Sequence, residues 1–130
     1  MKVVTGQFEA VNSRDFKAVM EAYAEDVELV LHDDLRGGGG EGALGKEAVG
    51  KWFGDWFQQF DSDYRFEVEE ARDLGDRVFV VATHHGHGRS SGIPVEQRTA
   101  YLYAVADGRV NRVDVWTDRE AALEAAGLSE

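Results

Sequence analysis

The sequence predicts an α+β fold, with helices layered on one face of an antiparallel sheet. Two observations predict it. Apolar residues recur at helical spacing through Phe60, and from Tyr64 onward they alternate in the two-residue period of strands. The elements also fall in runs, helices mostly first and a meander of strands after, rather than in the βαβ alternation of parallel sheets.

Val4, Phe8 and Val11 share one helical face, and Phe16, Val19, Met20 and Tyr23 share another. Asn12–Asp15 (NSRD) breaks them, with Ser13 or Asn12 as the new N-cap, so a helical hairpin is expected. Asp26–Asp34 reads as a strand, and Leu35–Gly45 as a glycine-rich loop. KEAVGKWFGDWFQQF then places Val49, Trp52, Phe53, Trp56, Phe57 and Phe60 on one helical face, opposite Lys51, Asp55, Gln58 and Gln59.

Tyr64–Arg72 follows as a half-buried strand, Leu74–Arg77 as a turn, and Val78–Arg89 as a second strand. Ser90–Pro94 turns the chain into a third strand, Val95–Ala106. Asp107-Gly108 is a two-residue hairpin signal leading into Arg109–Thr117. Asp118 is placed to cap a last helix that stops at Gly127. No linker or repeat divides the chain, so residues 1–130 are expected to form one domain.

Composition narrows the function classes. A net charge of −11, with 14 basic residues scattered among 25 acidic ones, argues against nucleic-acid binding. Cysteine is absent, which removes disulfides, thiolate nucleophiles and cysteine-ligated metals. No apolar run reaches the length of a membrane span, and no signal segment opens the chain, so a cytoplasmic protein is expected. Gly40–Glu47 (GEGALGKE) resembles a phosphate-binding loop but is one residue short and carries Glu47 where Ser or Thr would hold Mg²⁺. Those glycines are expected to form a flap or an irregular loop.

Three of the four histidines lie in VATHHGHGR, where strand alternation sends His85 and His87 to one face and His84 to the other. His85 and His87 at i and i+2 have the spacing of a chelating pair, yet no third ligand stands nearby, so no metal is expected. As an acid–base group His85 is the better placed of that pair, being deeper in its strand.

Taken together, NSRDFKAVMEAYAEDVEL, LGKEAVGKWFGDWF, GHGRSSGIPVE and YLYAVADGRVNRVDVWTD followed by AALEAAG resemble the SnoaL-like, ketosteroid-isomerase-related branch of the nuclear-transport-factor-2-like superfamily. The resemblance implies a cone: a curved antiparallel sheet wrapped around three helices, a cystatin-like roll with an apolar pocket at its open end. It also implies a homodimer through the sheet, and a small apolar ligand of polyketide, steroid or terpenoid type. Members range from cofactor-independent isomerases, cyclases and hydrolases to proteins with no chemistry, so the residues must be weighed singly.

The ketosteroid isomerase mechanism fails on them. Its general base falls at Leu31, with only His32 or Asp33 adjacent; its oxyanion tyrosine falls near Gln7, and its oxyanion aspartic acid at Tyr101. The His and Asp of the SnoaL-type cyclases fall at Tyr101 and at Asp114 or Val115. With a tight turn at Asp107-Gly108 and no bulge, Tyr101 faces Asp114, Thr99 faces Trp116 and Tyr103 faces Arg112; a bulge would shift that register. If this face looks inward, Asp114 is a base whose pKa desolvation raises, Tyr101 its donor, and His85 an assistant. Gln7, Tyr23, His32, Trp52, Trp56, Tyr103 and Trp116 would then contact the ligand. If it looks outward, the same residues make a dimer interface. The matched positions favour inward.

Overall fold

The computed structural model describes residues 2–32 and 42–128; Asp33 and the glycine run Gly37–Gly40 lie outside the described residues. Its helices are α1 (Lys2–Asn12), α2 (Phe16–Glu21), α3 (Lys46–Phe57) and α4 (Arg119–Ala125). Its strands are β1 (Tyr23–Leu31), β2 (Ala43–Leu44), β3 (Arg65–Asp73), β4 (Arg77–His87), β5 (Pro94–Ala106) and β6 (Arg109–Trp116).

The strands form one curved α+β sheet in the order β2-β1-β6-β5-β4-β3. Each neighbouring pair is antiparallel except β1 and β6, which run parallel, with Leu29 beside Val113 and Leu31 beside Val115. A parallel neighbour needs a long crossover, and α3 with the β3–β5 meander supplies it. β1 begins at Tyr23, earlier than the apolar pattern suggests. Helix α2 closes at Ala22, whose carbonyl accepts the Val110 N–H at 2.8 Å and starts the pairing.

The helical hairpin turns with different chemistry from that expected. Asp15, rather than Ser13 or Asn12, caps α2 by accepting the Ala18 N–H at 3.2 Å. Ser13 bonds back to the Glu9 carbonyl. Asn12 instead pairs with the Phe66 backbone, accepting its N–H at 2.7 Å and donating to its carbonyl at 2.9 Å. Its side-chain amide thus occupies hydrogen-bonding groups that edge strand β3 would leave open.

Both faces of the sheet are covered. Helices α1–α3 pack on one face over Val27, Leu29, Val78, Val80, Ala82, Tyr101, Tyr103, Val113 and Val115. On the opposite face α4 places Ala122, Leu123 and Ala126 on Phe79, Val81, Ala100, Leu102 and Trp116. Asp118 caps α4 through the Glu120 N–H, and Gly127 takes the positive φ that ends it. Strand β4, paired on both edges by β3 and β5, is therefore apolar on both sides, which is why its sequence shows no alternation between Val78 and Ala82.

Two register shifts decide what faces inward. The Asp107-Gly108 turn is tight, both residues having positive φ, and Val105 pairs with Val110. Ala104 then pairs with Arg112, so Asn111 is an inserted bulge residue. This corrects the bulge-free register: Tyr101 faces Val115, Tyr103 faces Val113, and Ala100 faces Trp116. In β3 a second shift at Glu69 leaves Val68 opposite Ala82 and Glu70 opposite Val81.

Candidate functional site

A cavity of about 440 Å³ opens between α2, α3 and the segment that follows α3. It has the size of a small-molecule site. Phe16, Val19, Met20, Tyr23, Phe53, Phe57 and Phe60 make it apolar, while Arg14, Asp61, Ser62, Tyr64 and Arg89 supply its polar groups. The walls follow from local sequence. The aromatic face of α3 turns inward because the sheet buries it, and the chain after α3 is tied to the end of β4. Asp61 N–H donates to the His87 carbonyl at 2.8 Å, and Arg89 N–H to Gln59 at 2.9 Å.

Two pockets of about 30 Å³ lie deeper. Trp52, Trp56, His84, Thr99 and Tyr101 line one; Gln7, Tyr23, Tyr101 and Tyr103 line the other.

A buried hydrogen-bond chain joins the cavity wall to the deeper pocket. The Trp56 indole N–H donates to the Tyr64 hydroxyl at 3.0 Å. The Tyr64 hydroxyl lies 2.5 Å from His84 Nδ1, and His84 Nε2 lies 3.1 Å from Gln97 Oε1. An indole N–H can only donate and an amide oxygen only accept, so the assignment is consistent from end to end. Tyr64 donates to Nδ1, and His84 is a neutral imidazole carrying its proton on Nε2. Burial lowers the His84 pKa below its ordinary value; the Gln97 contact opposes this and the nearby His85 adds to it. Burial raises the Tyr64 pKa, against the Trp56 hydrogen bond and the Arg14 charge. Phe60, Phe66 and Trp56 surround the imidazole with rings, Trp56 stacking on it at 5.8 Å.

Gly86 lets Tyr64 lie close to β4. A Cβ there would sit 3.1 Å from Tyr64 Cα and 3.2 Å from its Cδ2, so a larger residue would push the tyrosine back by a few tenths of an ångström.

The expected site residues divide between the faces. Tyr101, Tyr103, Gln7, Tyr23, Trp52 and Trp56 line the interior. Gln7 spends its amide on the Val19 carbonyl at 3.0 Å, pinning α1 to α2. Burial raises the pKa of Tyr23, Tyr101 and Tyr103.

Asp114, His85, His32 and Trp116 lie on the other face. Asp114 accepts from Arg112 at 2.8 and 3.1 Å and lies 2.8 Å from His32 Nε2, while the His32 ring stacks on Trp116 at 4.4 Å. Burial pushes the Asp114 pKa up, but Arg112 and His32 outweigh it and hold the carboxyl below its ordinary value. That is the reverse of the raised value expected of a base beside Tyr101, and the Asn111 bulge is the cause. His85 lies between Glu67 and Glu96, at 3.3 Å from each, and His87 pairs with Asp63 at 2.5 Å. Among the described residues no cluster of His, Asp or Glu is arranged to hold a metal ion.

Tyr64 and His84 escaped the sequence reading as a pair. Alternation placed Tyr64 with Phe66 and separated His84 from its neighbours, but the faces could not be matched without the Glu69 bulge.

A family model described as a SnoaL-like domain matches residues 4–113. No curated protein matches the chain. Solved structures share its fold. One is a Mycobacterium tuberculosis protein in complex with estradiol-17beta-hemisuccinate, at TM-score 0.76 and 20% identity over 91% of this chain and 92% of that one. Another is a Catenulispora acidiphila protein with a ketosteroid isomerase-like fold, in complex with trimethylamine, at TM-score 0.75 and 20% identity over 98% and 93%. A third is an NTF2-like protein of unknown function from Burkholderia pseudomallei, at TM-score 0.76 and 22% identity over 95% and 94%.

Proposed function

The chain belongs to the SnoaL-like family of the nuclear-transport-factor-2-like superfamily, and from that premise we propose that it binds a small, largely apolar molecule between α2 and α3 and moves a proton on it through Tyr64 and His84. The observation that carries this is the Trp56–Tyr64–His84–Gln97 chain, set between an apolar cavity and the interior of the sheet. The bound estradiol-17beta-hemisuccinate and trimethylamine of two relatives support a ligand site in this fold.

The chemistry follows from the protonation states. His84 is held neutral by burial, so it is available as a base across the neutral pH range. When a bound molecule gives up a proton to Tyr64 Oη, the tyrosine passes its own proton to His84 Nδ1. The histidine becomes imidazolium, and its Nε2–H stays with Gln97. The Arg14 charge, which already opposes the rise in the Tyr64 pKa, favours negative charge developing at this end of the cavity. Returning the proton to a different atom of the ligand isomerises it. In this reading the base is His84, and Asp114 is a structural carboxylate of the other face.

The test is deuterium uptake by 2-tetralone, an apolar ketone with acidic α-hydrogens, followed by NMR in D2O. The protein is expected to accelerate exchange, and Tyr64→Phe and His84→Ala to return it to the buffer rate. Binding without accelerated exchange in the unaltered protein would leave a non-catalytic ligand carrier and overturn the proton-transfer reading.

A further inference from the structure

The chain carries an excess of acid, yet among the described residues two arginines on the cavity rim have no acidic partner. Elsewhere Arg72 and Arg119 pair with Glu70, Arg98 with Glu69, and Arg112 with Asp114 and Glu28; among the described residues Arg65, Arg77 and Arg109 also form no ion pair, but they lie away from the cavity. Among the described residues neither Arg14 nor Arg89 forms an ion pair. Arg14 donates only to neutral carbonyls, those of Val11 at 3.0 Å, Ser62 at 2.6 Å and Tyr64 at 2.5 Å. Arg89 donates through Nε and Nη2 to Phe60 O, at 3.2 and 3.0 Å.

Both guanidinium groups thus grip one short segment, residues 60–64, from its two sides. That places two positive charges on the wall of a largely apolar cavity, where Asp61 is the one acidic residue among the described lining. Carbonyl acceptors leave the charge uncompensated, and each guanidinium keeps donors beyond those it uses: Arg14 its Nε–H, Arg89 its Nη1 group. Asp61 lines the same rim, but no ion pair joins it to either arginine. Arg14 also holds the Tyr64 carbonyl, so one of the two charges is anchored to the tyrosine of the proton-transfer pair.

We propose that the cavity selects apolar acids, its aromatic walls taking the hydrocarbon and Arg14 with Arg89 taking the carboxylate or enolate. This rests on the cavity being a ligand site, as argued above. The anion replaces no existing ion pair, so its charge-assisted hydrogen bonds are not offset by breaking another.

Matched pairs test it: decanoate against 1-decanol, and 2-naphthoate against 2-naphthalenemethanol, titrated by tryptophan fluorescence. Each acid is expected to bind about tenfold or more tightly than its alcohol at low salt, the scale of a charge-assisted hydrogen bond. The preference should narrow at roughly 0.5 M salt, where rim charges are screened. The affinity ratio, which cancels general damage to the pocket, should collapse in Arg89→Gln and recover in Arg89→Lys. Equal binding of acid and alcohol, or a ratio unchanged in Arg89→Gln, would overturn the selection for acids while leaving a ligand site. Binding of neither member of either pair would overturn the ligand site as well.

Discussion

Two histidines, on opposite faces of one sheet, show how environment sets what an ionisable group can do. His84 sits among rings on the inner face, with neutral partners on both nitrogens. His32 sits on the outer face, between a tryptophan ring and an aspartate that an arginine also holds. Neutral partners leave a proton free to move along Tyr64 and His84 with no ion pair to break. Charged partners lock the protonation state of Asp114 and spend its basicity on structure. Under the proposed proton transfer, a carboxylate alone is therefore a poor guide to the reactive face of this sheet, and the absence of charge around a histidine is the better one.

Four changes would break or sharpen that contrast. The outer face is a second core beneath α4, so Phe79→Ala should cost the most stability, about 3–5 kcal/mol for a fully buried aromatic. Urea unfolding measures it, and a loss below about 1 kcal/mol would mean that α4 packs only loosely.

Next, Gly86→Ala should cost about 1–3 kcal/mol by overpacking, because the group it meets is the Tyr64 backbone and cannot swing away. The same variant should lose exchange activity as Tyr64 leaves His84. Full activity in a stable Gly86→Ala protein would break the link between that glycine and the pair.

The two faces should also respond to acid in separate windows. The folded His84 pKa is depressed, so the unfolded chain takes up the proton first. Its contribution is complete above its ordinary value of 6.5 and is lost as pH falls below it. The Asp114 pKa is depressed from 3.8, so its contribution is present above that value and lost only as pH falls further. Unfolding free energies across pH should therefore lose the higher limb in His84→Ala and the lower one in Asp114→Asn; the opposite assignment would reverse the roles of the two faces.

The smallest effect belongs to Asp114→Asn at neutral pH. Arg112 keeps Glu28 and solvent, so the loss should be about 1 kcal/mol or less, as for ion pairs near the surface. A larger loss in the same unfolding experiment would show that the carboxylate anchors β6 to β1.

Much of this architecture was legible in local pattern. The aromatic face of α3, the strand meander, the Asp107-Gly108 turn and the Asp118 cap each announce themselves through spacing or turn chemistry. The parity of the faces did not. A single inserted residue at Asn111 exchanges the two sides of β6, and another at Glu69 does the same in β3. Neither bulge residue is a glycine or proline that would mark it. Between Val78 and Ala82, β4 is covered on both sides and carries no alternation to settle the question. The expectation of an inward Asp114 and His85 therefore fails, and His84 is the histidine on the inner face. Trp52 and Trp56 lie inward as the periodicity of α3 predicts, and Tyr101 and Tyr103 lie inward as the family resemblance implies, whereas Trp116 shares the displaced face of β6.

The central claim is that the proton-handling groups are those of the inner face. Deuterium uptake by 2-tetralone, measured side by side in the unaltered protein, His84→Ala and Asp114→Asn, tests it most directly. The account predicts equal acceleration by the unaltered protein and Asp114→Asn, and none by His84→Ala. Exchange that survives in a folded His84→Ala protein, or disappears in Asp114→Asn, would contradict it.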